Sequence, residues 1–175
     1  MNEESNKREL IPLNICVLTI SDSRTEETDK SGKKLKELLE LAGHICFEKQ
    51  IVPDDIYQIR AVVSGWIAHE KVNAVITTGG TGITGRDGTP EAVSVLFDKI
   101  IEGFGETFRA ISFQQIKTST MQSRAIAGVA NSTFVFTLPG STGACITAWE
   151  ELISHQLDYR TRPCNLVELM PRLKE

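Results

Sequence analysis

Histidine, tryptophan and tyrosine are scarce in this 175-residue chain, at three, two and two copies, and aromatic residues make up only 6%. His44, His69 and His155 are too scattered for a catalytic triad or a metal-ligand spacing, so each is assigned a core or surface role. The four cysteines, Cys16, Cys46, Cys145 and Cys164, contain no Cys-x-x-Cys pair, which excludes the common zinc and dithiol motifs. Cys145 alone has a claim to a helix N-terminus and a lowered pKa, but reduced packing thiols are the expectation for all four. Positive charge is not in excess: 19 Lys+Arg stand against 23 Asp+Glu, a net charge of −4. A broad nucleic-acid surface is therefore disfavoured. No apolar run approaches the roughly 18 residues of a membrane-spanning helix. The stretch from Met1 to Glu9 has neither the cationic start nor the apolar core of a signal peptide. A soluble, cytoplasmic protein without nucleic-acid or membrane partners is expected. No Gly-x-Ser-x-Gly elbow is present.

Ordinary globular material makes up the rest, 41% hydrophobic and 24% charged, enough for one packed domain. A flexible arm over residues 1–12 and a single domain over 13–175 are expected. The patterning predicts strands at residues 14–20, 44–52, 72–77, 125–130 and 133–138, the last two forming a hairpin across Asn131-Ser132. Helices are predicted at 31–41, from 54 or 55 to about 69, from 89 to about 101, from 106 to about 118, and from about 142 to 157. Gly103-Phe104-Gly105 reads as a break, and the tail from Asp158 as irregular. Strand-helix alternation argues for an α/β fold: a three-layer arrangement, mostly parallel sheet, helices on both faces and a small β-hairpin.

In such sheets ligands sit beyond the carboxyl ends of the strands. The loops at residues 21–31, 52–55, 78–89 and 139–142 therefore carry the search. The densest is Thr77-Thr78-Gly79-Gly80-Thr81-Gly82-Ile83-Thr84-Gly85-Arg86-Asp87-Gly88-Thr89-Pro90-Glu91. Its glycines let backbone N–H groups face an anion, its threonines add donors and Arg86 adds charge. Gly80-x-Gly82-x-x-Gly85 matches the dinucleotide fingerprint only by accident, because the helix signals come later, at Thr89-Pro90. A Walker loop fails as well, lacking Gly-Lys-Ser/Thr.

A carboxylate inside a phosphate loop repels its own ligand unless a cation lies between. Asp87 therefore reads as a magnesium ligand, with Asp54 as a candidate second one. The plainer roles are a turn residue for Asp87 and a helix cap for Asp54. Ser21 and Asp22, Arg124, and Gly140-Ser141 at a second strand-to-helix junction are weaker candidates for binding a polar or phosphate group.

Ser21-Asp22, Asp29-x-Ser31-Gly32, Pro53-Asp54, Thr77-Thr78-Gly79-Gly80-Thr81-Gly82 and Arg86-Asp87-x-Thr89-Pro90-Glu91-Ala92 together resemble the MoaB/MogA family of molybdenum cofactor biosynthesis. Gly103-Phe104-Gly105-Glu106-x-Phe108-Arg109, Ser123-Arg124-Ala125 and Leu138-Pro139-Gly140-Ser141 extend the match over residues 13–157, and Ile20-Ser21-Asp22-Ser23-Arg24 is closer to the MoaB branch. The resemblance implies a molybdopterin-binding α/β domain that forms a homotrimer or homohexamer and works beside other molybdenum cofactor enzymes. It implies transfer of AMP from Mg-ATP to the terminal phosphate of molybdopterin, with release of pyrophosphate. Asp54 and Asp87 match the family's catalytic and magnesium-binding carboxylates. Thr78, Gly79, Gly80, Thr81 and Gly82 match its ligand-holding loop, and Ser141 lies in the second loop. A non-catalytic molybdopterin-binding or scaffold protein of the same pathway shares every feature except the AMP transfer. Gly128-Val129-Ala130 and Phe134-Val135-Phe136 are candidate interface segments.

Overall fold

The computed structural model describes residues 8–175. Among them, β1 (Asn14–Ile20), β2 (Ile45–Val52), β3 (Ala74–Thr78), β4 (Lys99–Ile100), β5 (Ile126–Ala130) and β6 (Thr133–Leu138) form one sheet in the order β2-β1-β3-β6-β5-β4. The four strands β2, β1, β3 and β6 are mutually parallel, while β5 runs antiparallel to β6 and β4 antiparallel to β5. The helices are α1 (Lys30–Leu41), α2 (Ile56–Ile67), α3 (Thr89–Ser94), α4 (Glu102–Ile116) and α5 (Thr142–Ala148). A π-helical turn, Trp149–Ile153, joins α5 to the short α6 (Ser154–Gln156).

Alternation along β1 divides the core. Ile15 and Val17 pack on one face with Leu35 and Leu39 of α1, Phe104 and Phe108 of α4, and Ala148 of α5. Cys16, Leu18 and Ile20 pack on the other with Ile59, Val63 and Trp66 of α2 and Val93 of α3. Helices therefore cover both faces, and the interior strands β1, β3 and β6 are mostly apolar with a few buried threonines, as expected for a doubly covered parallel sheet. The β5–β6 hairpin turns at Asn131 and Ser132, with φ of 45° and 65°, the twist that suits a two-residue connection. Cys145 is buried and its thiol is pushed up to about 11 by burial, so it is a packing residue and not an activated one.

The structure departs from the sequence pattern in three places. First, α3 stops at Ser94 instead of near residue 101. Asp98 N–H donates to the Val129 carbonyl and Ile101 N–H to the Ala127 carbonyl, drawing this segment into the sheet edge as β4. Second, Gly103-Phe104-Gly105 lies inside α4 and does not break it. A Cβ at Gly105 would come within 2.6 Å of the Ala125 carbonyl, so this glycine serves close packing of α4 on the chain entering β5. Third, Phe134, Val135 and Phe136 are at most 2% exposed and Gly128 is covered by Phe97, so the two proposed interface segments belong to the chain's own interior. After α4 the chain forms a 3-10 turn, Lys117–Gln122, and a second one, Val167–Arg172, interrupts the C-terminal tail. Part of the expected arm, residues 1–7, lies outside the described residues. Residues 8–12 have no regular structure, and Arg8 donates to the Tyr159 carbonyl, ion-pairs with Glu168 and stacks on Tyr159. No helix among the described residues is long and apolar enough to cross a membrane.

Candidate functional site

Four parallel strands end on the same side of the sheet, and their exits meet at one cavity of about 360 Å³. Ser21 follows β1, Asp54 follows β2, Gly79 and Gly80 follow β3, and Gly140 and Ser141 follow β6; all line it. Asp87 lines it as well, so the four loops singled out in the sequence do converge.

Gly79 and Gly80 are required by their backbones. Gly79 has φ of +101° and Gly80 of +63°, both in the region that disfavours a side chain. A Cβ at Gly79 would come within 2.2 Å of the Ile20 carbonyl, and one at Gly80 within 2.9 Å of Asp54 Oδ1. The surrounding threonines stitch the loop down. Thr78 Oγ1 donates to the Pro139 carbonyl at 2.9 Å and Thr89 Oγ1 to the Gly79 carbonyl at 2.9 Å. Thr78 is thus spent on loop geometry and not on an anion. Thr81 is 94% buried with its carbonyl held by Arg124, and together with Gly82 it lies outside this cavity's wall.

Asp55, not Asp54, caps α2: its carboxylate accepts from the N–H groups of Tyr57 at 3.0 Å and Gln58 at 2.8 Å. Asp54 is thereby released to the cavity. Asp54 Oδ2 accepts from Asp22 N–H at 3.1 Å, and Asp22 Oδ1 accepts from Asp54 N–H at 3.1 Å. Partial burial, followed by the charges of Asp22 and Asp87, pushes the Asp54 carboxyl above its ordinary range. Asp87 is shifted the other way. The Thr84 hydroxyl donates to Asp87 Oδ2 at 2.7 Å and the Thr84 N–H at 3.2 Å, and these bonds hold its carboxyl below the usual value. Two carboxylates with environments that separate their pKa values are a mark of functional sites.

Neither of the two arginines picked out in the sequence is free. Arg86 is forked onto Asp22 at 2.6 and 2.9 Å. Arg124 donates to the carbonyls of Thr81 at 3.1 Å and Gly82 at 2.6 Å and pairs with Glu91, so it braces the glycine loop from behind. The cations on the cavity wall are Arg24 and Lys30, which have no carboxylate partner among the described residues. Sequence reasoning passed over Lys30, which sits among other lysines of α1, and weighed Arg24 only as part of Ser21-Asp22-Ser23-Arg24, which also reads as an ordinary turn. It also undervalued Asp29, which caps α1 through Gly32 N–H at 2.9 Å, accepts from the Thr19 hydroxyl at 2.9 Å and pairs with Lys49 at 2.8 Å. Ser31 then ties α1 to the second loop by donating to the Gly140 carbonyl at 2.8 Å. Ser141 caps α5, accepting from Ala144 N–H at 3.2 Å.

Among the described residues no group of three or more His, Cys, Asp or Glu is placed to hold a metal. Magnesium does not require such a cluster: one or two carboxylates suffice, with the remaining positions filled by water and phosphate oxygens. Asp54 and Asp87 fit that role: both line the cavity, and the charge of Asp87 contributes to raising the Asp54 carboxyl, a cost that a cation beside them would relieve.

Comparison with known proteins places the chain in a family. Residues 16–159 match the family described as "Probable molybdopterin binding domain". The chain is 54% identical over 167 residues to molybdenum cofactor biosynthesis protein B of Escherichia coli (strain K12), covering 95% of this chain and 96% of that one. A crystal structure of a molybdenum cofactor biosynthesis protein B superposes with a TM-score of 0.86 at 45% identity, covering 95% of this chain and 99% of the other. The tungsten cofactor synthesizing protein MoaB of Pyrococcus furiosus superposes at 0.77 with 34% identity, covering 94% and 98%. With its glycine loop, its paired aspartates and these relatives, the chain belongs to the MoaB branch of the MoaB/MogA family of molybdopterin-binding domains, proteins of molybdenum cofactor biosynthesis.

Proposed function

We propose that this protein adenylylates molybdopterin. An oxygen of molybdopterin's terminal phosphate attacks the α-phosphorus of ATP, a new P–O–P bond forms, the bond to the β-phosphate breaks and pyrophosphate leaves. The observation that carries the reading is the convergence of Asp54 and Asp87 on one glycine-lined cavity at the strand ends. Two anions must meet in this reaction, so positioning and charge neutralisation provide most of the catalysis. Asp54 and Asp87 are the residues that would hold magnesium, which supplies positive charge to phosphate oxygens when bound. Arg24 and Lys30, on the wall of the same cavity, add positive charge. A phosphate oxygen is already ionised at neutral pH, so no histidine base is needed. A homo-oligomer in the cytoplasm belongs to the same reading. The exposed apolar side chains Phe113 and Ile116 of α4 and Met121 of the following 3-10 turn support the oligomer.

The test mixes purified protein, molybdopterin, ATP and magnesium and looks for adenylylated molybdopterin by mass. Product that disappears on chelating magnesium is the expected outcome. Folded protein that binds molybdopterin but yields no product would replace the enzyme with a binding or scaffold role.

A further inference from the structure

Three carboxylates line the strand-end cavity, Asp29, Asp54 and Asp87, against two cations, Arg24 and Lys30. Asp54 and Asp87 have a use there, as the residues that would hold magnesium. Asp29 has no such use, yet it is the deepest of the three: its side chain is 1% exposed, while the other two residues are half-buried. A buried negative charge on a wall that takes phosphate opposes the ligand.

That charge is met from behind. Lys49 of β2 lies outside the cavity's lining and sends its Nζ to Asp29 Oδ2 at 2.8 Å, with its own side chain only 10% exposed. Its second partner, Glu26, lies at 3.1 Å and is largely exposed. Among the described residues no other cation pairs with Asp29. A glycine makes room for the arrangement: a Cβ at Gly32 would come within 2.2 Å of Asp29 Oδ2 and 2.3 Å of Thr19 Oγ1. Taking two charges out of water is costly, and an apolar pair of similar volume is often no less stable. A helix cap needs only a polar oxygen, which Ser141 supplies for α5. Capping α1 thus explains an oxygen at residue 29 and leaves the buried ammonium behind it unexplained.

We infer that Lys49 is a positioning residue for the strand-end cavity: acting through Asp29, it cancels the negative charge of that wall and so lets a phosphate chain enter. Lys49 touches no ligand itself. With it, the three carboxylates around the cavity are matched by three cations. The inference rests on the proposed function in that the cavity takes a phosphate-bearing ligand; it does not require that AMP be transferred.

The test is calorimetric titration of the full chain with inorganic pyrophosphate in the presence of magnesium, with thermal melting followed in parallel. Lys49→Met keeps most of the side chain's length and removes the cation; it binds pyrophosphate about ten-fold more weakly, because Asp29 is left unbalanced. Asp29→Asn keeps an oxygen for the Gly32 N–H and leaves Lys49 unbalanced, so it binds about three-fold tighter than native. The double variant returns to within about two-fold of native affinity, since the two charges leave together. A role confined to holding the fold would instead weaken binding in each single variant and further in the pair. Native affinity in both single variants, weakening in all three, or no pyrophosphate binding by the native protein overturns the inference. Should Lys49→Met not fold, Asp29→Asn and the double variant decide: tighter binding in the first that returns to native in the second upholds the inference, and any other pattern overturns it. Shifts that cancel, with no AMP transfer by the native protein, leave Lys49 in its role and remove the transferase. AMP transfer by the native protein, with pyrophosphate affinity unshifted in every variant, does the reverse.

Discussion

Arg86 holds Asp22 with both arms of its guanidinium, Nε to Oδ2 at 2.6 Å and Nη2 to Oδ1 at 2.9 Å. Asp22 in turn exchanges carboxylate-to-N–H hydrogen bonds with Asp54. Arg86 therefore reaches the cavity through Asp22 and fixes where Asp54 points.

Arg86→Ala is expected to lower kcat for AMP transfer ~ten-fold through misplacement of Asp54, with little change in the KM for ATP. Its melting temperature stays at the native value, because both partners are exposed. Arg86→Lys recovers little, since an ammonium cannot reproduce the fork. Steady-state kinetics check this; a raised KM with unchanged kcat would mean that Arg86 touches substrate itself.

Asp54 is raised above its ordinary range by burial and by the charges of Asp22 and Asp87, so its ionised form costs the ligand-free protein stability. That cost is absent below the unfolded carboxyl's range, develops as pH rises from the unfolded pKa to the folded one, and is full above it. Asp54→Asn keeps an acceptor for Asp22 N–H and removes the charge. Without ligands it melts higher than native at about pH 8 and level with it at about pH 3, while losing transfer activity. A variant that melts lower at both pH values would contradict the electrostatic account.

Asp29 has the opposite sign. Burial raises its carboxyl, but Lys49, the Gly32 N–H and the Thr19 hydroxyl outweigh that and hold it below its ordinary range. It contributes stability that is present above the unfolded carboxyl's pKa and is lost as pH falls through the folded one. Asp29→Ala removes a helix cap and leaves Lys49 without that partner, a loss of about 2 kcal/mol at neutral pH that shrinks on acidification. Chemical denaturation across pH measures it.

Much of this was legible in the sequence, and particular residues show why the rest was not. The apolar run of β1 and the Thr89-Pro90-Glu91 helix start are local signals, and the structure follows them. The glycine loop and Asp87 were visible because a carboxylate inside a phosphate loop is chemically odd. The β4 edge was hidden: Val93, Leu96 and Phe97 keep helical spacing, and only the ladder to β5 draws the chain out of the helix. Gly105 was misread because a glycine placed for a carbonyl on another element looks the same as a helix breaker. Arg86 and Arg124 were expected to face an anion. Their partners, Asp22, Glu91 and two loop carbonyls, come from as far as 64 positions away, and no spacing rule reports them.

Gly79→Ala sets a backbone test of the cavity floor. The added Cβ meets the Ile20 carbonyl in a left-handed conformation, so a loss of about 3 kcal/mol or failure to fold is expected. Gly85→Ala, in the same loop with open space around it, leaves stability unchanged. Thermal unfolding of the pair separates a strained floor from a merely flexible loop.

The most direct measurement compares native protein with Asp87→Asn in AMP transfer from ATP to molybdopterin over a magnesium titration, with molybdopterin binding followed in parallel. Asp87→Asn keeps an acceptor for the Thr84 hydroxyl but removes the charge. The account predicts magnesium-dependent adenylylated molybdopterin from the native protein and a ~100-fold or greater loss in the variant, with molybdopterin still bound. Native protein that binds molybdopterin without making the product, or an Asp87→Asn variant that makes it at the native rate, would contradict it.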